Sequence, residues 1–174
     1  MRALALFLIF AATVRCFAQG TVNFANLAPG VDAPVRDANG QLCVGCMAQL
    51  YVGPANTTDP SLLVTNGISG GPASFLPGQP GYFQGGNRTL AGFPAGTTVT
   101  FQVRAWATAS GPSWNSALER GESNLIQVML TGGSVNLVGL QPFSLSIVPE
   151  PSPIALAALG LLATMVFGVR RRSR

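Results

Sequence analysis

The chain has 174 residues and a formal net charge of +4 from ten arginines and six carboxylates, with no lysine and no histidine. The missing imidazole excludes Ser-His-Asp and Cys-His nucleophilic catalysis and most catalytic zinc sites, and the missing amine excludes Schiff-base and Ser-Lys chemistry. Six arginines (Arg2, Arg15, Arg170, Arg171, Arg172, Arg174) lie in the two ends, so residues 19–148 hold four arginines against five carboxylates, a net charge of −1, which leaves no basic patch for nucleic acid.

At the N-terminus, Arg2 supplies a positive n-region, residues 3–14 an apolar h-region, and Cys16-Phe17-Ala18 small residues at the −3 and −1 positions. Residues 1–18 therefore read as a helical secretory signal peptide cleaved after Ala18. Arg15 stands just before Cys16, where a lipoprotein signal requires a small residue. Residues 19–147 make one domain's worth of chain, large enough for a real core.

In that domain the apolar periodicity is that of strands. Val22 and Phe24 alternate near the mature N-terminus, and residues 47–52 and 61–65 are further strand candidates. Over residues 97–106, Val99, Phe101, Val103 and Ala105 point one way, and Thr98, Thr100, Gln102 and Arg104 the other, with Trp106 on the polar side. The alternation returns in Ile126, Val128 and Leu130, and in Phe143, Leu145 and Ile147. Asp37-Ala38-Asn39-Gly40, Asn66-Gly67 and Gly132-Gly133 predict positive-φ hairpin turns. The Gly- and Pro-rich residues 70–96 are long for a structureless loop, so short strands are expected around Tyr82-Phe83 and Thr89-Leu90. Only residues 115–120 suit a short helical turn, and Glu119-Arg120-Gly121-Glu122 reads as a solvated turn. The expectation is an all-β fold, an antiparallel β-sandwich of jelly-roll or Ig-like type.

Candidate chemistry is sparse. Cys43-Val44-Gly45-Cys46 has no further Cys or His to complete a zinc site, and it sits beside a strand rather than opening a thioredoxin-type helix. In an extended strand its α-carbons would be about 10 Å apart, so a disulfide requires a turn at Val44-Gly45; export favours that bond, with free thiols or intermolecular bridges as alternatives. Asp32, Asp37 and Asn39 offer oxygen ligands for calcium but lack the spacing of an established calcium loop, and turn-forming roles are the plainer reading. Glu119 and Glu122 lie close in sequence, yet a glycosidase pair needs one carboxyl with a raised pKa in an apolar cleft. Trp106, Trp114, Tyr82 and Phe83 are candidates for a sugar-stacking platform. No cofactor is implied, and the expectation is that the protein is not an enzyme.

At the C-terminus, Pro149-Glu150-Pro151-Ser152 leads into sixteen uncharged residues, 154–169, followed by Arg170, Arg171, Arg172, Ser173 and Arg174. Those sixteen residues span about 24 Å as a helix, slightly short of a hydrocarbon core of about 30 Å. Arginine snorkelling closes the gap. Ser152 suits the N-cap and Pro153 the first helical position, giving a transmembrane helix over 153–169. The arginines of 170–174 hold the C-terminus in the cytoplasm by the positive-inside rule. A plain C-terminal membrane anchor is the simplest alternative.

The Pro-Glu-Pro sequence, the short Ala-, Leu- and Gly-rich span and the terminal arginines together resemble the PEP-CTERM sorting signal of gram-negative bacteria, here covering residues 148–174. The resemblance implies processing near Pro149, Glu150 and Pro151 by exosortase, a membrane-embedded cysteine transpeptidase, after transient residence in the inner membrane. It also implies delivery to the cell surface or an extracellular polysaccharide matrix. Thr21-Val22-Asn23-Phe24, Val31-Asp32-Ala33-Pro34-Val35, Ala48-Gln49-Leu50-Tyr51-Val52-Gly53-Pro54, Gly81-Tyr82-Phe83 with Gly85-Gly86-Asn87-Arg88-Thr89, and Gln102-Val103-Arg104-Ala105-Trp106 are similar to a pattern in small PEP-CTERM proteins of environmental bacteria. The expected function is structural or adhesive at the surface or matrix, with exopolysaccharide binding as the alternative.

Overall fold

A computed structural model of the chain describes residues 18–149. The expected signal segment, apart from Ala18, and the expected transmembrane helix lie outside the described residues. Among the described residues no helix is long and apolar enough to cross a membrane.

The described chain is all-β. Its strands are β1 (Gln19–Ala25), β2 (Leu27–Ala28), β3 (Val31–Asp32), β4 (Val35–Arg36), β5 (Cys46–Pro54), β6 (Ala73–Ser74), β7 (Gln84–Pro94), β8 (Thr98–Ala107), β9 (Glu119–Glu122), β10 (Ile126–Met129), β11 (Ser134–Asn136), β12 (Phe143–Ser144) and β13 (Ser146–Ile147). Two short 3₁₀ turns, Pro60–Leu62 and Thr108–Ser110, complete the regular structure.

The larger sheet is organised around β8. One of its edges pairs antiparallel with β5 from Cys46↔Ala107 to Pro54↔Val99. The other edge is shared: β10 covers residues 98–101 and β9 covers 104–106. Ser123 fills the gap between them, donating its N–H to the Val103 carbonyl (2.9 Å) and accepting the Val103 N–H on its hydroxyl (3.0 Å). The ladder thus continues with a side-chain hydroxyl standing in for one backbone acceptor. A second sheet has the order β11-β1-β7, which places β1 at its centre.

The two sheets share one core. Val22, Phe24 and Leu90 of the smaller sheet join Leu50, Val52, Val99, Phe101 and Val103 of the larger in a single buried cluster. Each such side chain contributes about 1.5–3 kcal/mol by leaving water. The alternation of 97–106 is therefore a buried face, as its period implied, but the opposite face is buried as well: Thr100, Gln102 and Trp106 are all at most 2% exposed. Loops cover that face. The Thr100 hydroxyl donates to the Pro54 carbonyl (2.9 Å), the Gln102 amide to the Ser123 carbonyl (3.2 Å), and Arg104 Nη2 to the Pro60 carbonyl (2.8 Å).

Several local expectations are corrected. Pairing is not purely antiparallel, since β1 with β11 and β4 with β12 run parallel. Two expected hairpins are instead crossings between sheets. Val64 bridges to Val52 of the larger sheet and Ile68 to Leu90 of the smaller, so Asn66-Gly67, with Gly67 at φ +85°, carries the chain across the core. Gly132-Gly133 likewise joins β10 of one sheet to β11 of the other, and neither glycine has positive φ. A strand that arrives by crossover is free to run in either direction, whereas a tight hairpin enforces antiparallel pairing. Asp37-Ala38-Asn39-Gly40 does reverse the chain, bringing Arg36 opposite Leu42. Residues 61–65 supply a 3₁₀ turn and an isolated bridge rather than a strand. Glu119–Glu122 is a strand rather than a turn because it has β8 on one side and β13 on the other.

Candidate functional site

The C-terminal junction is built from the last strands of the domain. Residues 143–147 read as one alternating strand, but they divide between two partners. Phe143 and Ser144 pair with Val35 and Arg36 of β4, and Ser146 and Ile147 pair with Arg120 and Glu119 of β9. Leu145 is the anchor between them, with its side chain buried and its N–H donated to the Arg36 carbonyl at 2.8 Å. Beyond it Ile147 is 70% exposed, so the buried face of the alternation ends one residue pair early. Val148 still donates its N–H to the Leu118 carbonyl at 2.7 Å. Gly121 makes the close approach possible, since a Cβ there would stand 2.5 Å from the Ser144 carbonyl oxygen and 3.1 Å from Leu145 Cα. Pro149 follows directly as an exposed residue; Glu150 and Pro151, with Arg170, Arg171, Arg172 and Arg174, lie outside the described residues.

The expected aromatic platform does not assemble. Trp106 and Phe83 are buried, at 2% and 1% exposure. Phe83 packs in the core with its ring centroid 4.8 Å from that of Phe24 and 5.5 Å from that of Phe75. The polar side of β8 was expected to face solvent, but Trp106 is buried there, and its Nε1 has no protein partner. Trp114 is half-buried and its ring is already occupied by cations, with the guanidinium carbons of Arg104 and Arg120 at 4.6 and 4.7 Å from the centroid. Arg104 also lies 4.2 Å from the Tyr51 ring centroid.

This Tyr51, Arg104, Trp114, Arg120 cluster was not legible locally. Its members come from β5, β8, the 108–118 loop and β9. Register supplies the reason, since Arg104 stands opposite Glu122 and Trp106 opposite Arg120, putting both arginines on the loop-covered face. Hydrogen bonds fix the group. Trp114 Nε1 donates to the Gly121 carbonyl (3.2 Å), and Arg120 Nη1 to the carbonyls of Trp114 (2.8 Å) and Asn115 (2.7 Å). Arg104 Nε donates to Gln102 Oε1 (3.0 Å) and stands 3.5 Å from Glu122 Oε2.

The carboxylates do not converge as a catalytic pair. Three positions apart on one strand, Glu119 and Glu122 project to opposite faces. Glu122 meets Arg104, and Glu119 Oε1 accepts the Ala38 N–H at 2.8 Å. The calcium candidates are engaged separately as well. Asp37 Oδ1 accepts the N–H groups of Asn39 (2.9 Å) and Gln41 (2.8 Å), an Asx turn that shapes the 37–40 reversal. Asp32 accepts the Tyr82 hydroxyl at 2.8 Å, which pushes the Tyr82 pKa above its ordinary value because the bond favours the neutral phenol. Among the described residues no group of three or more His, Cys, Asp or Glu is placed to hold a metal ion.

Cys43 and Cys46 are joined in a disulfide with α-carbons 6.1 Å apart. The chain turns at Val44-Gly45, where Gly45 has φ +67° and Val44 is exposed. The bridge ties the entry of β5 to the preceding loop, and both cysteines belong to the core cluster.

A further residue, unmarked by sequence reasoning, holds this end of the domain together. Asn26 is fully buried and satisfied: Nδ2 donates to the carbonyls of Ala33 (2.8 Å) and Gly81 (2.9 Å), and Oδ1 accepts the Phe83 N–H (2.7 Å). It clasps the local 26–33 turn to residues 81–83, which lie 55–57 positions further along the chain.

No curated protein and no solved structure gives a significant match to the chain. Residues 148–172 match the PEP-CTERM protein-sorting motif, and its first residue, Val148, is the one still hydrogen-bonded to Leu118. The chain thus carries a PEP-CTERM protein-sorting motif directly after its all-β domain, and that motif supports an exported, transiently membrane-anchored protein sorted through exosortase.

Proposed function

We propose that the domain of residues 19–147 is a non-enzymatic structural or adhesive component of the cell surface or extracellular polysaccharide matrix, delivered there once exosortase has removed the tail. Until the cut, Arg170, Arg171, Arg172 and Arg174 hold the C-terminus on the cytoplasmic side of the inner membrane. The observation that carries this reading is the direct seam between β13 and the sorting motif, which makes the whole folded domain the sorted cargo. The separate engagement of Asp32, Asp37, Glu119 and Glu122 favours a structural over a hydrolytic role. Trp106 and Phe83 in the interior and Trp114 under two guanidinium groups weigh against a stacked-sugar site.

The test is intact mass with cell fractionation, in hosts with and without exosortase. A species ending near Pro149, found outside the inner membrane only when the enzyme is present, is expected. A full-length chain in the inner membrane under both conditions would reduce the tail to an anchor and remove the matrix role.

A further inference from the structure

We propose that a cleft at Arg88, between the outer edge of β5 and β7, binds the carboxylate of an acidic polysaccharide such as a uronate polymer. The proposal rests on the matrix reading and gives it a site. Register explains the cleft. Along β5 the even-numbered residues turn their backbone groups away from β8: Cys46 accepts the Phe75 N–H (3.1 Å), and Val52 exchanges two hydrogen bonds with Val64 (2.9 Å each). Leu50 shares that orientation, because Val103, which faces it on β8, uses its own N–H and carbonyl on Ser123. β6 pairs with β5 only at Met47 and Ala48, and the chain next meets this edge at Val64. Among the described residues the Leu50 N–H and carbonyl therefore meet no partner. One rung of the ladder is missing, and the lining of the opening includes Phe24, Leu50, Ile68, Gly70, Gly71 and Arg88.

Arg88 supplies the charge. Its Nη1 donates to the Ser69 carbonyl (3.2 Å), and its Cζ lies 5.7 Å from the Phe24 ring centroid. Glycines keep its place open: a Cβ at Gly70 would overlap Nη1, and one at Gly85 would stand 3.0 Å from Nη2. Among the described residues Arg88 meets no carboxylate, and its Nε and Nη2 meet no acceptor. A guanidinium fork beside a backbone N–H and carbonyl suits a carboxylate with a hydroxyl close by. The enclosed space is about 10 Å³, room for a single oxygen, so the body of the ligand stays outside in solvent. An extended peptide added to a sheet edge needs several successive rungs, and one is open here. A charged group hanging from a polymer fits instead. A uronate carries such a group on each ring, with hydroxyls near it for the Leu50 carbonyl. One contact of this kind is weak, and repetition along the polymer raises retention through effective concentration.

The experiment titrates the nitrogen-labelled full-length chain, in micelles of a non-ionic polyoxyethylene detergent, with a galacturonate hexamer. NMR follows the amide signals of Leu50, Gly70 and Gly71. A galactose hexamer of the same linkage is the neutral control, and hexaglutamate is the acidic peptide. Saturable shifts at Leu50 are expected with galacturonate and not with galactose. Arg88→Gln should weaken that binding about tenfold or more, the scale of one lost charge-assisted hydrogen bond. Arg88→Lys, which keeps the charge without the fork, should fall between the two. Arg36→Gln removes the same charge from an exposed site elsewhere and should leave the affinity unchanged. Unaltered amide signals away from the cleft establish that each variant is folded. No shift at Leu50 with galacturonate, or equal affinity for parent and Arg88→Gln, would overturn the proposal. So would tighter binding of hexaglutamate, which would make the partner a protein. Cell fractionation judges the matrix reading separately. A parent chain that reaches the matrix fraction without shifting at Leu50 sinks the cleft alone, whereas a full-length chain confined to the inner membrane sinks the matrix reading and the proposal with it.

Discussion

Asn26→Ala removes a side chain that satisfies three buried backbone groups, and the structure shows which of them have a second partner. The Gly81 carbonyl also accepts the Val35 N–H at 2.9 Å and stays paired. The Ala33 carbonyl and the Phe83 N–H are left without their Asn26 partner in a site that Asn26 shields completely. Each orphaned buried group costs about 1–3 kcal/mol, so the loss should be roughly 2–6 kcal/mol. Against a typical stability of about 5–15 kcal/mol this is a large fraction. Urea denaturation of the purified ectodomain, followed by tryptophan fluorescence, should show a lower midpoint with an unchanged slope. Asn26→Asp keeps the acceptor but aims a carboxylate at the Ala33 and Gly81 carbonyls. It should be at least as damaging at neutral pH and recover partly as acid protonates it. A loss below about 1 kcal/mol for Asn26→Ala would refute the reasoning, because it would mean that the freed groups are readily hydrated and that Asn26 is no clasp.

Gly121→Ala should destabilise the domain by about 1–3 kcal/mol, as overpacking does, by forcing the C-terminal segment away from β9. Thermal denaturation checks the stability. Trp114→Ala should cost about 1–2 kcal/mol through two lost cation–π contacts while leaving retention on matrix polysaccharide unchanged, and a loss of retention at full stability would reinstate the glycan site. Tyr82 should titrate above the ordinary tyrosine value by phenolate absorbance, and Asp32→Asn should bring it back. Because the pKa is raised in the folded chain, the contribution to stability is complete below the ordinary tyrosine pKa and disappears as pH rises through the folded value.

Order in the chain carried a good deal of this. The 97–106 alternation led to β8 because Val99, Phe101, Val103 and Ala105 form one continuous apolar face whatever covers it. The Cys43-Cys46 spacing limited a disulfide to one conformation, a turn with its glycine at positive φ, because bond geometry is local. The sorting motif at residues 148–172 was legible because it is carried by composition and position rather than by contacts. Tertiary structure decided the rest. Whether Asn66-Gly67 and Gly132-Gly133 closed hairpins or crossed the core depended on which strands waited on the far side. Trp106 became a core residue, and Glu119–Glu122 a strand, only because loops and partner strands from elsewhere in the chain arrived to cover or pair them. Residue order alone settles what a segment can bury or bond; what comes to meet it is a property of the whole chain, and so is the hold that β9 keeps on the last residues before the sorting motif.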